Sequence, residues 1–123
     1  MLIAAFVILG TAVLLGSALA VLHLRTDGAA APRWKLAALH GLLAIAGLGC
    51  LAIALRGPTR GLAQGTASFG IIAAALIALA ALFGVGLVAM RIFKGRPAGM
   101  LIGIHATLAV SGFVILAVYV LAG

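Results

Sequence analysis

Two stretches decide the reading of this chain: His40-Gly41-Leu42-Leu43-Ala44-Ile45-Ala46-Gly47 and His105-Ala106-Thr107-Leu108-Ala109-Val110-Ser111-Gly112. His, Leu, Ala and Gly coincide at the same offsets, and the two copies lie 65 residues apart. A proline stands eight residues before each histidine, Pro32 and Pro97. Both histidines sit inside apolar runs. An ionisable side chain within a membrane helix is expensive to keep and by default marks a functional site. A pair at matching depth is sharper still, because two facing imidazoles can grip one metal ion or one haem iron.

Working outward from these stretches, the chain of 123 residues is 67% hydrophobic and 7% charged, more apolar surface than a soluble domain of this size can bury. A membrane-spanning helix needs about 20 apolar residues. Four such stretches are present, at about 1–24, 34–55, 68–92 and 99–122, and the separators between them carry the charges and the prolines. The expected fold is an all-α integral membrane protein in one domain, 1–123, an antiparallel four-helix transmembrane bundle built from a two-helix repeat. Ala18-Leu19-Ala20 resembles a signal-peptide cleavage site, but no basic residue precedes the apolar run, so an uncleaved first helix is expected.

The net charge of +7 does not indicate nucleic acid, because the eight basic residues lie around three short loops. Arg25, Arg33 and Lys35 flank the first loop and Arg91, Lys94 and Arg96 the third, against Arg56 and Arg60 at the second. The positive-inside rule then places loops one and three in the cytoplasm and both termini outside, in a bacterial-type inner (plasma) membrane. The single Cys50 cannot form an intramolecular disulfide and reads as a small hydrophobe.

The repeat extends into the first helix of each half. Leu15-Gly16-x-x-Leu19 aligns with Phe83-Gly84-x-x-Leu87, and His23 falls opposite Arg91. Pro32 and Pro97 suit the first turn of helices two and four, while Asp27-Gly28 and Lys94-Gly95 suit turns. Short connections favour antiparallel neighbours, so helices two and four lie diagonally and their side chains meet across the core. At 1.5 Å per residue, His40 lies about 10 Å along the helix from Arg33 and His105 about 12 Å from Pro97. The histidines therefore reach similar depth. Gly47 and Gly112 lie two turns beyond them on the same face, leaving room for a flat macrocycle, and Gly16 and Gly84 do likewise on helices one and three. The ordinary alternative is that small residues let membrane helices approach.

Histidines on helices two and four with glycines on one and three resemble the four-helix haem-binding bundle of membrane b-type cytochromes. Related bis-histidine sites occur in the membrane anchors of succinate dehydrogenase-type complexes. The resemblance implies one haem b, with His40 and His105 as axial ligands and Gly16, Gly47, Gly84 and Gly112 around the ring. Arg33, Arg91 and Arg96, with Lys35 and Lys94, would then face the haem propionates. Where cytochrome b carries two histidines on each of those helices, this chain has one, so a single haem near the cytoplasmic face is implied. Trp34 and His23 read as interfacial residues, with a ring contact for the first and a propionate contact for the second as their functional alternatives.

Other routes lack parts. Zinc wants about four ligands, and no third candidate stands near the pair. Histidine also ligates bacteriochlorophyll magnesium, one imidazole per pigment, which gives a pigment-binding subunit as one alternative. Proton-coupled export needs an intramembrane carboxylate, and the only acidic residue, Asp27, is in a loop. Covalent catalysis lacks a carboxylate beside either histidine. The expectation is a single-haem electron-transfer subunit, exchanging electrons with quinone or a partner subunit of a larger membrane redox complex. Its rival is a haem-free accessory or anchor subunit; either fits the chain better than a stand-alone enzyme.

Overall fold

The computed structural model describes residues 1–27 and 33–122. Among them the chain forms four α-helices and no strand: α1 (Leu2–Arg25), α2 (Trp34–Ala54), α3 (Phe69–Lys94) and α4 (Gly99–Leu121). All four are long and apolar enough to cross a membrane, so the protein is a multi-pass membrane protein with an all-α four-helix bundle. Helices suit that solvent because each closes its own backbone hydrogen bonds. The few hydroxyls do the same locally. Thr11, Ser17, Thr26 and Thr107 each donate to the carbonyl one turn earlier, at 2.8–2.9 Å.

The helix ends follow local chemistry. Gly95 closes α3 in the left-handed conformation at φ 77°, which glycine adopts without a Cβ clash. Asp27, just past α1, is the one described non-glycine residue at positive φ (47°), and a short polar side chain tolerates that region. Pro97 was expected in the first turn of the fourth helix. It stands instead one residue before the N-cap, Ala98, whose extended backbone begins the turn into Gly99. The counterpart expectations for Pro32 and Gly28 fall outside the described residues.

Two tight hairpins, α1–α2 and α3–α4, pack side by side, with α1 against α4 and α2 against α3. Helices two and four are therefore diagonal, as are one and three. The closed core occupies one half of the bundle only. It gathers Ala5 and Leu9 from α1, Leu51 from α2, Ala73 and Ile77 from α3, and Leu116 and Tyr119 from α4, with Cys50 partly buried against it. Phe6 and Phe113 stack at 5.1 Å to close the α1–α4 seam. The repeat places Ala74 and Leu48 at the equivalent positions of the α2–α3 seam, so that seam has no aromatic clasp. Among the described residues, none at 13–27, 33–46 or 81–111 is buried. That other half leads to the basic loops.

Close helix approach in the closed half depends on missing side chains. A Cβ on Gly70 would lie 2.5 Å from Leu55 Cδ2 and 2.8 Å from Tyr119 Cε1, and the buried Tyr119 ring has little freedom to yield. Gly70→Ala is expected to lower stability by about 1–3 kcal/mol through overpacking. Gly49, beside which a Cβ meets nothing within 4 Å, supplies the contrast: Gly49→Ala should hold or raise stability, by up to about 1 kcal/mol from helix propensity. Thermal unfolding of both variants in one detergent checks the pair, and equal melting points would refute it.

Candidate functional site

The bundle brings the two repeat histidines together. His40 from α2 and His105 from α4 meet across the diagonal with ring centroids 5.9 Å apart and ring planes at 81°. They sit on the boundary between the closed core and the open half, both partly buried.

Each ring is anchored in the same way. His40 Nδ1 is 2.8 Å from the carbonyl oxygen of Ala12 on α1, and His105 Nδ1 is 2.7 Å from that of Ala80 on α3. A carbonyl only accepts, so Nδ1 must carry the proton in both rings. The lone pair is then on Nε2, which has no hydrogen-bond partner among the described residues. Fixing one nitrogen in this way decides which nitrogen is left to bind a metal. Thr107, a conceivable partner for a ring nitrogen, donates to Gly103 instead.

Gly16 and Gly84 lie directly against the two imidazoles. A Cβ on Gly16 would be 2.8 Å from His40 Cε1, and one on Gly84 would be 3.2 Å from His105 Cε1. Gly47 and Gly112 are placed differently. The space beside Gly47 holds Leu9 and Ile8 of α1, and that beside Gly112 holds Ile77 and Leu76 of α3. These two glycines therefore serve approach within each hairpin. The bland reading of small residues describes them, while the first pair belongs to the histidines.

The basic residues ring the open end. Arg33 is the exposed N-cap of α2, seven residues before His40; Lys35 is exposed in its first turn. Arg91 and Lys94 lie in the last turn of α3, with Arg96 exposed in the loop beyond. Arg91 is seven residues past Gly84, and His23 seven past Gly16, each about 10 Å further along its helix. Trp34 is half exposed at the start of α2, as an interfacial aromatic would be. Among the described residues, no group of three or more His, Cys, Asp or Glu could hold a bare metal ion.

The residues that sequence reasoning missed are Ala12 and Ala80. Their side chains carry no chemistry; the functional group is the backbone carbonyl. The available signal was a glycine four residues later in each case, at 16 and 84.

No protein-family model matches the chain, and comparisons with curated proteins and with solved structures likewise find no match. The site is therefore read on its geometry alone.

That geometry predicts the protonation pattern. In cofactor-free protein labelled with ¹⁵N-histidine, the neutral imidazoles of His40 and His105 should each show a protonated Nδ1 and an unprotonated Nε2. An Nε2–H form at either position would contradict the carbonyl anchors.

Proposed function

We propose that this chain is a membrane b-type cytochrome subunit, holding one haem b between His40 and His105 and exchanging electrons with a quinone or a partner subunit. The observation that carries the reading is the opposed imidazole pair, 5.9 Å between centroids, with both Nδ1 atoms committed to backbone carbonyls. Two metal–nitrogen bonds of about 2 Å each, added to the reach of two rings, call for a separation of this order. Haem ligation needs only two protein ligands, and among the described residues the pair has no third His, Cys, Asp or Glu beside it.

When bound, the haem supplies one-electron redox chemistry, with a potential set by its axial ligands and surroundings. The chain's own part is to hold and orient. His40 and His105 would ligate it through Nε2, the nitrogen that the carbonyl anchors leave without a proton. Gly16 and Gly84 keep side chains away from those rings. Arg33, Arg91 and Arg96, with Lys35 and Lys94, place positive charge on the open side, where anionic propionates gain from it. A pigment ligated by one imidazole alone would leave the matching histidine of the pair without a role.

Orientation follows from the same charges. Six of the eight basic residues lie around loops one and three. We place those loops in the cytoplasm of a bacterial-type inner membrane and both termini outside. With Cys50 replaced by Ser, Gln64→Cys should react with a membrane-impermeant maleimide in intact cells, whereas Lys94→Cys should react only after the cells are broken. The reverse pattern inverts the topology.

A second reading, a haem-free anchor subunit, draws on the open space beside Gly41, Gly49, Gly86, Gly99 and Gly103, where a partner helix could pack closely. Dithionite-reduced minus oxidised absorbance spectra separate the two. The wild type, purified from haem-sufficient cells, is expected to show a sharp low-spin b-type signal that His40→Ala and His105→Ala each abolish. A folded, colourless wild type would sink the haem reading in favour of the anchor.

A further inference from the structure

In an α-helix the carbonyl of residue 12 already accepts the N–H of residue 16, and the carbonyl of residue 80 that of residue 84. Those acceptors retain a second lone pair. Access to it is normally obstructed. Cα–Cβ bonds tilt toward the helix N-terminus, so the side chain at position i+4 covers the turn that contains the carbonyl of residue i. At both places where an imidazole reaches such a carbonyl, the i+4 residue is glycine: Gly16 over Ala12 and Gly84 over Ala80.

We propose that Gly16 and Gly84 are positioning residues that uncover these two carbonyls, and thereby hold His40 and His105 in the tautomer that leaves Nε2 unprotonated and able to ligate. They act through the histidines, not by making room for a macrocycle. For the effect on a bound haem the proposal rests on the cytochrome reading; for the tautomers it stands without it. The two halves are graded. A Cβ on Gly16 would lie 2.8 Å from His40 Cε1, too close unless the ring moves off its carbonyl. On Gly84 the corresponding distance is 3.2 Å, which a shift of a few tenths of an ångström relieves.

The test uses the full chain in detergent, first without haem. In ¹⁵N-histidine spectra, Gly16→Ala is expected to turn the single Nδ1–H form of His40 into a tautomer mixture while leaving His105 unchanged. Gly84→Ala should perturb His105 alone, and less. Two controls separate positioning from general loosening. Gly86→Ala, where a Cβ meets nothing within 4 Å, should change neither tautomer. Gly70→Ala should lower the melting point yet leave both tautomers as they are. The gentler Gly84→Ala keeps the test open should Gly16→Ala fail to fold. Intact Nδ1–H forms in the folded glycine variants, or tautomer mixing equally large in Gly70→Ala, would overturn the proposal.

A second readout uses haem-loaded protein. Loss of a partner that orients a ligating histidine weakens metal affinity by about 10–100-fold. Gly16→Ala should fall in that range, with an upward shift in midpoint potential because the ligand becomes a weaker donor. Unchanged affinity and potential in Gly16→Ala would overturn the haem part. A wild type that takes up no haem refutes the cytochrome reading alone, since the tautomer result is obtained without it.

Discussion

The constraint that organises this molecule is that an imidazole inside a bilayer must have a partner for its N–H. A buried donor without one costs about 1–3 kcal/mol, and lipid offers no water to substitute. Here the partner is a helix carbonyl on the neighbouring helix of the same hairpin, Ala12 for His40 and Ala80 for His105. Meeting that need fixes more than energy. It determines which nitrogen is protonated, turns each ring toward the bundle centre, and ties α1 to α2 and α3 to α4 at equal depth.

From this tier the bundle divides into two halves with different physics. On one side, glycine, alanine and interlocked Leu, Ile and Tyr side chains bring the helices together, and Phe6 on Phe113 clasps the α1–α4 seam. In lipid such packing rests on contact and close backbone approach more than on expulsion of water. On the other side no described residue is buried, and the basic loops close the view. The histidines stand where one regime gives way to the other, and the haem proposed above would lie at that boundary.

The internal repeat accounts for the economy of the arrangement. Each hairpin contributes one carbonyl, one glycine and one histidine, and side-by-side packing of two hairpins makes the pair. The copies are not identical, and their differences are informative. Only one seam has the stacked phenylalanines, and His23 on α1 answers Arg91 on α3. The open end and the seams are thus asymmetric around a nearly symmetric centre.

Much of this was legible in the residues themselves. Runs of about 20 apolar residues punctuated by charge and proline specify four spans, because lipid admits little else, and the helix bounds fall within two residues of those expected. The offset of 65 residues marked His40 and His105 as partners. What the sequence could not assign was the work of the glycines. All four match in the repeat, yet Gly47 and Gly112 receive Leu9 and Ile77 while Gly16 and Gly84 face the imidazoles. That division depends on which side chain of the neighbouring helix arrives at each gap, a property of helix rotation and height. Nor could sequence name Ala12 and Ala80, since every residue has a carbonyl and only tertiary packing selects the two that are used. Composition and periodicity determined that there would be four membrane helices with a histidine pair at one depth. The packed bundle decided which backbone atoms hold that pair, because a hydrogen bond between helices is set by distances that no single helix contains.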